Sequence, residues 1–123
     1  MSEIENSKPY DLEGRTADFA RAVKEFVVKV PRELININDI KQLLRASSSV
    51  GANFIEANEA ISRKDFLHRV KICRKEIKES IYWFNLMTIK SEQLNVERLK
   101  LEKEAIELMK IFGAIIRNSN FRN

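Results

Sequence analysis

The sequence predicts an all-α protein, an antiparallel up-down-up-down four-helix bundle. Three observations carry that expectation. The 123 residues include only three Gly and two Pro, too few breakers for the many turns of an all-β fold. Apolar residues recur at alternating steps of four and three through four successive stretches, the signature of one helix face. Short polar links join the stretches, and short links favour antiparallel neighbours. At this length the chain is one domain with a real core, expected over residues 11–118 between polar tails at 1–10 and 119–123.

The first helix is expected from Leu12 to Val30, with Leu12, Thr16, Phe19, Val23, Phe26 and Val30 on its inner stripe. Pro31 stops it, because a proline disfavours helical geometry in the residue before it. Residues 31–38 read as a loop, with Asn36 or Asn38 capping the second helix. That helix carries Ile40, Leu43, Ser47, Val50, Phe54, Ala57 and Ile61. Its middle, "ASSSVGAN", is built of small side chains, so a close helix crossing or a bend is expected there. Ser62 followed by Asp65 resembles a capping box and starts the third helix, which runs to about Lys90. Phe66, Val70, Cys73, Ile77, Ser80, Phe84 and Met87 form its stripe. Residues 91–95 read as a turn. Asn95 then caps a fourth helix to about Arg117, with Leu101, Ala105, Leu108, Phe112 and Ile115 inward.

Charge is distributed unevenly. Ser62–Phe84 holds seven Lys or Arg against three acids, which accounts for the whole formal net charge of +4. At about 100° per residue, Lys64, His68, Lys71, Lys75 and Lys78 lie about 160–200° from the inward stripe of the third helix. They form an outward basic ridge. Such a ridge is either a solvated face or a surface for nucleic acid phosphates, bound through counterion release. No exposed aromatic residue is expected among these bases, which disfavours stacking of unpaired bases. Trp83, Ile72 and Ile81 widen the apolar arc, as a deeply buried helix or a subunit interface would require.

Other chemistry has little to stand on. One Cys excludes an intrachain disulfide and suits a reducing cytoplasm. Cys73 falls in the core stripe, as a small hydrophobe would. Asp65 and His68 have the spacing of a bundle metal motif, but His68 faces outward and the chain has no second His. Glycine-rich phosphate loops and paired cysteines are absent, so neither a metal nor a cofactor is expected. Arg63 and His68, in "RKDFLH", resemble the spaced Arg–His pair of the helical HEPN ribonucleases, which leaves a metal-independent ribonuclease as an alternative. The N-terminal "MSEIENSKPYDLEG" lacks the apolar stretch of a signal peptide, and no apolar run is long enough to span a membrane.

A family resemblance covers Gln42–Met87. The pattern of Arg45, Ser49, Ala52, Asn53 and Glu56 resembles the bacterial four-helix bundle proteins known as the 23S rRNA intervening-sequence protein family. So does the pattern of Ser62, Asp65, Phe66, Arg69, Ile72, Lys75, Glu76, Glu79, Ser80, Tyr82 and Trp83. Many members have Pro where this chain has Gly51. The resemblance implies a homopentamer, often ring-like with a basic face. Related proteins are accessory subunits of diversity-generating retroelements that bind nucleic acid and a reverse transcriptase; no enzyme activity comes with the family. It also turns Asn53, Glu56, Glu76, Glu79 and Trp83 into candidates for polar pairing or interface contacts within or between subunits. The resulting expectation is a non-enzymatic, cytoplasmic, oligomeric protein that binds RNA or DNA, or a protein partner, and no membrane. Lys64, His68, Lys71, Lys75 and Lys78 would contact phosphates. A structural or protein-interaction module with a merely wet ridge is the first alternative.

Overall fold

The computed structural model describes residues 11–122. Four helices account for the elements there: α1 (Leu12–Val27), α2 (Leu34–Asn58), α3 (Arg63–Leu86) and α4 (Glu92–Arg122). No strand occurs among the described residues. The expected tail at 1–10 lies outside them.

The helices pack as a ring in which α1 touches α2 and α4, and α3 touches α2 and α4. The diagonal pairs meet through large rings. Phe84 of α3 lies 6.5 Å from Phe19 and 6.1 Å from Phe26 of α1, and Phe54 of α2 lies 6.1 Å from Phe112 of α4. These centroid distances suit edge-on and tilted packing. The expected stripes form the core: Phe19, Val23 and Phe26, then Leu43, Val50 and Phe54, then Val70, Cys73, Ile77 and Phe84, then Ala105, Leu108 and Phe112 are all buried. Phe66 and Leu101 are only partly buried, and Ile61 departs furthest. α2 has ended by Asn58, so Ile61 stands in the link and is nearly fully exposed. In α4 the inward direction is shared, with Ile116 buried and Ile115 only partly so.

The ends of the helices depart further from expectation. Asp11 starts α1, accepting the Gly14 amide at 3.1 Å. α1 closes at Val27 into a tightened turn that keeps Val30 buried, just before Pro31. α2 begins at Leu34, so Asn36 and Asn38 lie inside its first turn and cap nothing. Asn36 is fully buried and bonds the opposite loop instead. Its Nδ2 donates to the Thr88 carbonyl, and the Thr88 amide donates to its Oδ1, both at 3.0 Å. In a continuing helix that amide would bond the Phe84 carbonyl. Arg98 of α4 donates to the Phe84 carbonyl at 3.1 Å. Both groups that would have carried α3 onward are therefore taken, and α3 ends at Leu86 rather than Lys90.

Ser62 caps α3 as expected, accepting the Asp65 amide at 3.1 Å. α4 is capped by Ser91, whose hydroxyl accepts the Leu94 amide at 3.1 Å, and not by Asn95. Asn95 instead donates to the Ile89 carbonyl at 2.9 Å. The α4 backbone continues past Arg117 to Arg122, where a polar tail is expected from the sequence.

The small-residue stretch of α2 serves a close crossing. A Cβ added to Gly51 would lie 3.0 Å from Thr16 Oγ1 and 3.4 Å from Thr16 Cβ. Thr16 is fully buried and its hydroxyl donates to the Leu12 carbonyl at 2.6 Å, so it has little freedom to yield. In an open helix Gly→Ala stabilises by about 1 kcal/mol. Here overpacking outweighs that gain, and Gly51→Ala lowers stability by about 1 kcal/mol. Urea unfolding checks this; a more stable variant would show that Thr16 moves aside.

Candidate nucleic-acid interface

The α2–α3 crossing sets the orientation of α3. Arg45 of α2 reaches two carboxylates of α3, Glu79 at 2.7 Å and Glu76 at 3.4 Å. Further along the same crossing, Arg69 donates to Asn53 Oδ1 at 3.0 Å, and Asn53 donates back to the Ser49 carbonyl at 2.9 Å. Cys73 lies between these levels. It is fully buried, and its thiol donates to the Val50 carbonyl at 3.4 Å. Burial pushes the thiol pKa up to about 12, so the sulfur stays protonated and acts as core rather than nucleophile. Five motif residues, Arg45, Asn53, Arg69, Glu76 and Glu79, thus join α2 to α3 within one chain. Glu56 stays outside this network; it is exposed and makes no ion pair among the described residues.

With α3 held this way, Lys64, His68, Lys71, Lys75 and Lys78 are all exposed on its outer side. They do not act as one unit. Lys71, Lys75 and Lys78 line an open groove of about 640 Å³ between α3 and α4, together with Arg74, Glu79, Tyr82, Trp83 and Ile116. Lys64 and His68 lie nearer the start of α3, outside that groove. Arg63 lines a separate hollow of about 450 Å³ with Phe66, Ile115, Asn118 and Ser119. His68 stands five positions after Arg63 along the helix, which turns them about 140° apart. Arg63 and His68 thus lie on different sides of α3, and only Arg63 lines the second hollow. No group of three His, Cys, Asp or Glu side chains suited to a metal ion occurs among the described residues.

Besides Ile116, the groove contains two residues absent from the expected set. Arg74 comes from the flank of α3 and adds a fourth cation. Tyr82 is 56% exposed, contrary to the expectation that no exposed aromatic residue accompanies the bases. Its ring packs edge-on to Trp83 at 4.9 Å. The sequence does contain a signal for Tyr82. It is the next member of the series Lys64, His68, Lys71, Lys75, Lys78, one further step of four. Trp83 is half-buried, packs against the core and lines the groove.

Fold and site together define an all-α, four-helix protein with a basic, aromatic-edged groove along its third helix. The chain belongs to the 23S rRNA-intervening sequence protein family, whose model matches residues 11–114. It is similar to a crystal structure of a protein of unknown function of the S23 ribosomal protein family from Bacteroides thetaiotaomicron. That likeness is at 30% identity and TM-score 0.69, covering 85% of this chain and 96% of the other. No curated protein matches the chain. No helix among the described residues is long and apolar enough to cross a membrane.

Proposed function

We propose that this protein is a non-enzymatic, cytoplasmic assembly module that binds nucleic acid along the outer face of α3. The observation that carries this is the groove in which Lys71, Arg74, Lys75 and Lys78 face one acid, Glu79, already engaged by Arg45 at 2.7 Å. A cluster of cations without matching acids attracts polyanions at long range.

The chain pairing supports an up-down-up-down bundle. Thr16 meets Gly51 while Glu13 meets Asn58, Arg45 meets Glu76 while Asn53 meets Arg69, and Arg15 meets Glu104 while Lys29 meets Glu97. In each pair of helices the numbering runs in opposite directions. One end of such a bundle is unusually apolar on its surface. Val28, Leu34, Ile35, Leu86, Val96 and Leu99 are all exposed there, Leu34 at 93%. The Asn36–Thr88 bonds and the Lys29–Glu97 pair hold these segments beside one another. Exposed apolar residues gathered in one region suit a protein interface, and the family resemblance favours a homopentamer. Ring assembly would present the basic groove five times. A protein partner at the same end is the second reading.

Fluorescence anisotropy with labelled RNA and DNA across a salt series tests the proposal. For a DNA duplex the log–log slope is about −0.9 for each phosphate neutralised. The Lys71→Ala, Lys75→Ala, Lys78→Ala triple variant is expected to reduce the slope by about 0.9 per lysine that makes a contact. Absence of binding at low salt by the intact oligomer would remove this function. Light scattering should give a mass five times that of the chain; a monomer would remove the ring.

A further inference from the structure

We propose that the α3–α4 groove is a site for unpaired nucleotides, with Tyr82 as the stacking platform for a base and the surrounding lysines as phosphate contacts. This rests on the nucleic-acid function above and specifies its ligand. Three observations place it. Tyr82 ends the exposed basic series of α3, so a backbone tracking Lys71, Lys75 and Lys78 arrives at an aromatic ring. Neighbours at three- and four-residue spacing stand about 5–6 Å apart at Cβ on one helix face, close to the phosphate spacing of a single strand. The Tyr82 ring is braced by Trp83 yet more than half exposed, so a base can be received without unfolding a core contact.

A duplex cannot use this arrangement. Its bases are stacked on each other, and only its phosphates would meet the lysines. A run of Asp and Glu could meet the lysines too, but it has no planar ring to lay against Tyr82. Base–aromatic stacking is tolerant of sequence, so the site discriminates paired from unpaired bases more than one base from another.

Trp83 is the chain's only tryptophan, so its fluorescence reports directly on the groove. Labelled oligothymidylate and a DNA duplex of equal length are titrated into the wild-type protein, Tyr82→Ala and Tyr82→Phe. The wild type should bind oligothymidylate with quenching of Trp83. Tyr82→Ala should weaken that binding by about 5- to 150-fold while leaving duplex binding unchanged. Tyr82→Phe, which keeps the ring, should retain wild-type binding. An equal loss for both probes, or no loss for either, overturns the stacking site while the nucleic-acid function stands. Competition by polyglutamate as strong as by unlabelled oligothymidylate also overturns it, in favour of an acidic protein partner. If the wild type binds neither probe, the nucleic-acid function itself has failed.

Discussion

Phe84→Ala is expected to lower the stability of this protein by about 3–5 kcal/mol, the range for truncating a fully buried aromatic side chain. Phe84 has no exposed surface and fills the diagonal between α1 and α3, with Phe19 edge-on at 6.5 Å and Phe26 tilted at 6.1 Å. Two terms add in the variant. The ring's transfer free energy is lost, and the space it leaves is lined by the Phe19 and Phe26 rings, which fill it only if α1 shifts inward. Against a typical total of about 5–15 kcal/mol this is a large fraction. The melting temperature should fall by about 10–20 °C. Thermal unfolding followed by circular dichroism checks it. A loss below about 1 kcal/mol would show that Phe19 and Phe26 close the gap.

Asn36→Leu is the second large effect. Leu has the branching of Asn but a larger volume, so it overpacks a site that is fully buried. The pairing of Thr88 changes as well. Its amide loses the Oδ1 acceptor and its carbonyl loses the Nδ2 donor, each bond being 3.0 Å long. A buried polar group left without a partner costs about 1–3 kcal/mol. Thr88 is exposed to water, which relieves some of that, and overpacking by the larger Leu adds to it, so the expected loss is about 2–4 kcal/mol in all. A local readout separates this from a general loosening. Hydrogen exchange at the Thr88 amide should accelerate beyond the change in global stability. Unaltered exchange there would mean that the α3–α4 link is held by other contacts.

The core was legible from the sequence because a helix face repeats. Steps of four and three pick out Val70, Cys73, Ile77, Ser80 and Phe84 without reference to any neighbour, and each of these is buried. The crossing at Gly51 was legible for a related reason, since only small side chains admit a close backbone and the stretch around it is rich in them. The same angular count placed Lys64, His68, Lys71, Lys75 and Lys78 on the outside of α3. Extended one step, it also places Tyr82 there.

Helix ends were a different matter. Asn36 has the chemistry of an N-cap, and local preference assigns it to its own helix. The structure spends its amide on Thr88, 52 residues away, because the loop after α3 packs over the start of α2. α3 stops at Leu86 for the same reason, with Arg98 taking the Phe84 carbonyl from another helix. Ile61, apolar and in register, is exposed because α2 ends before it. By itself the sequence determined which residues face inward, which surface of α3 is basic, and that four helices form. These follow from side-chain period and composition, which are local. Only the tertiary structure decided where those helices end, which acids Arg45 neutralises, and that Ile116 of α4 joins Lys71, Arg74, Lys75, Lys78, Tyr82 and Trp83 of α3 in one groove. Each of these depends on hydrogen bonds or packing between residues on different helices, and a one-dimensional pattern carries no distance between its stripes.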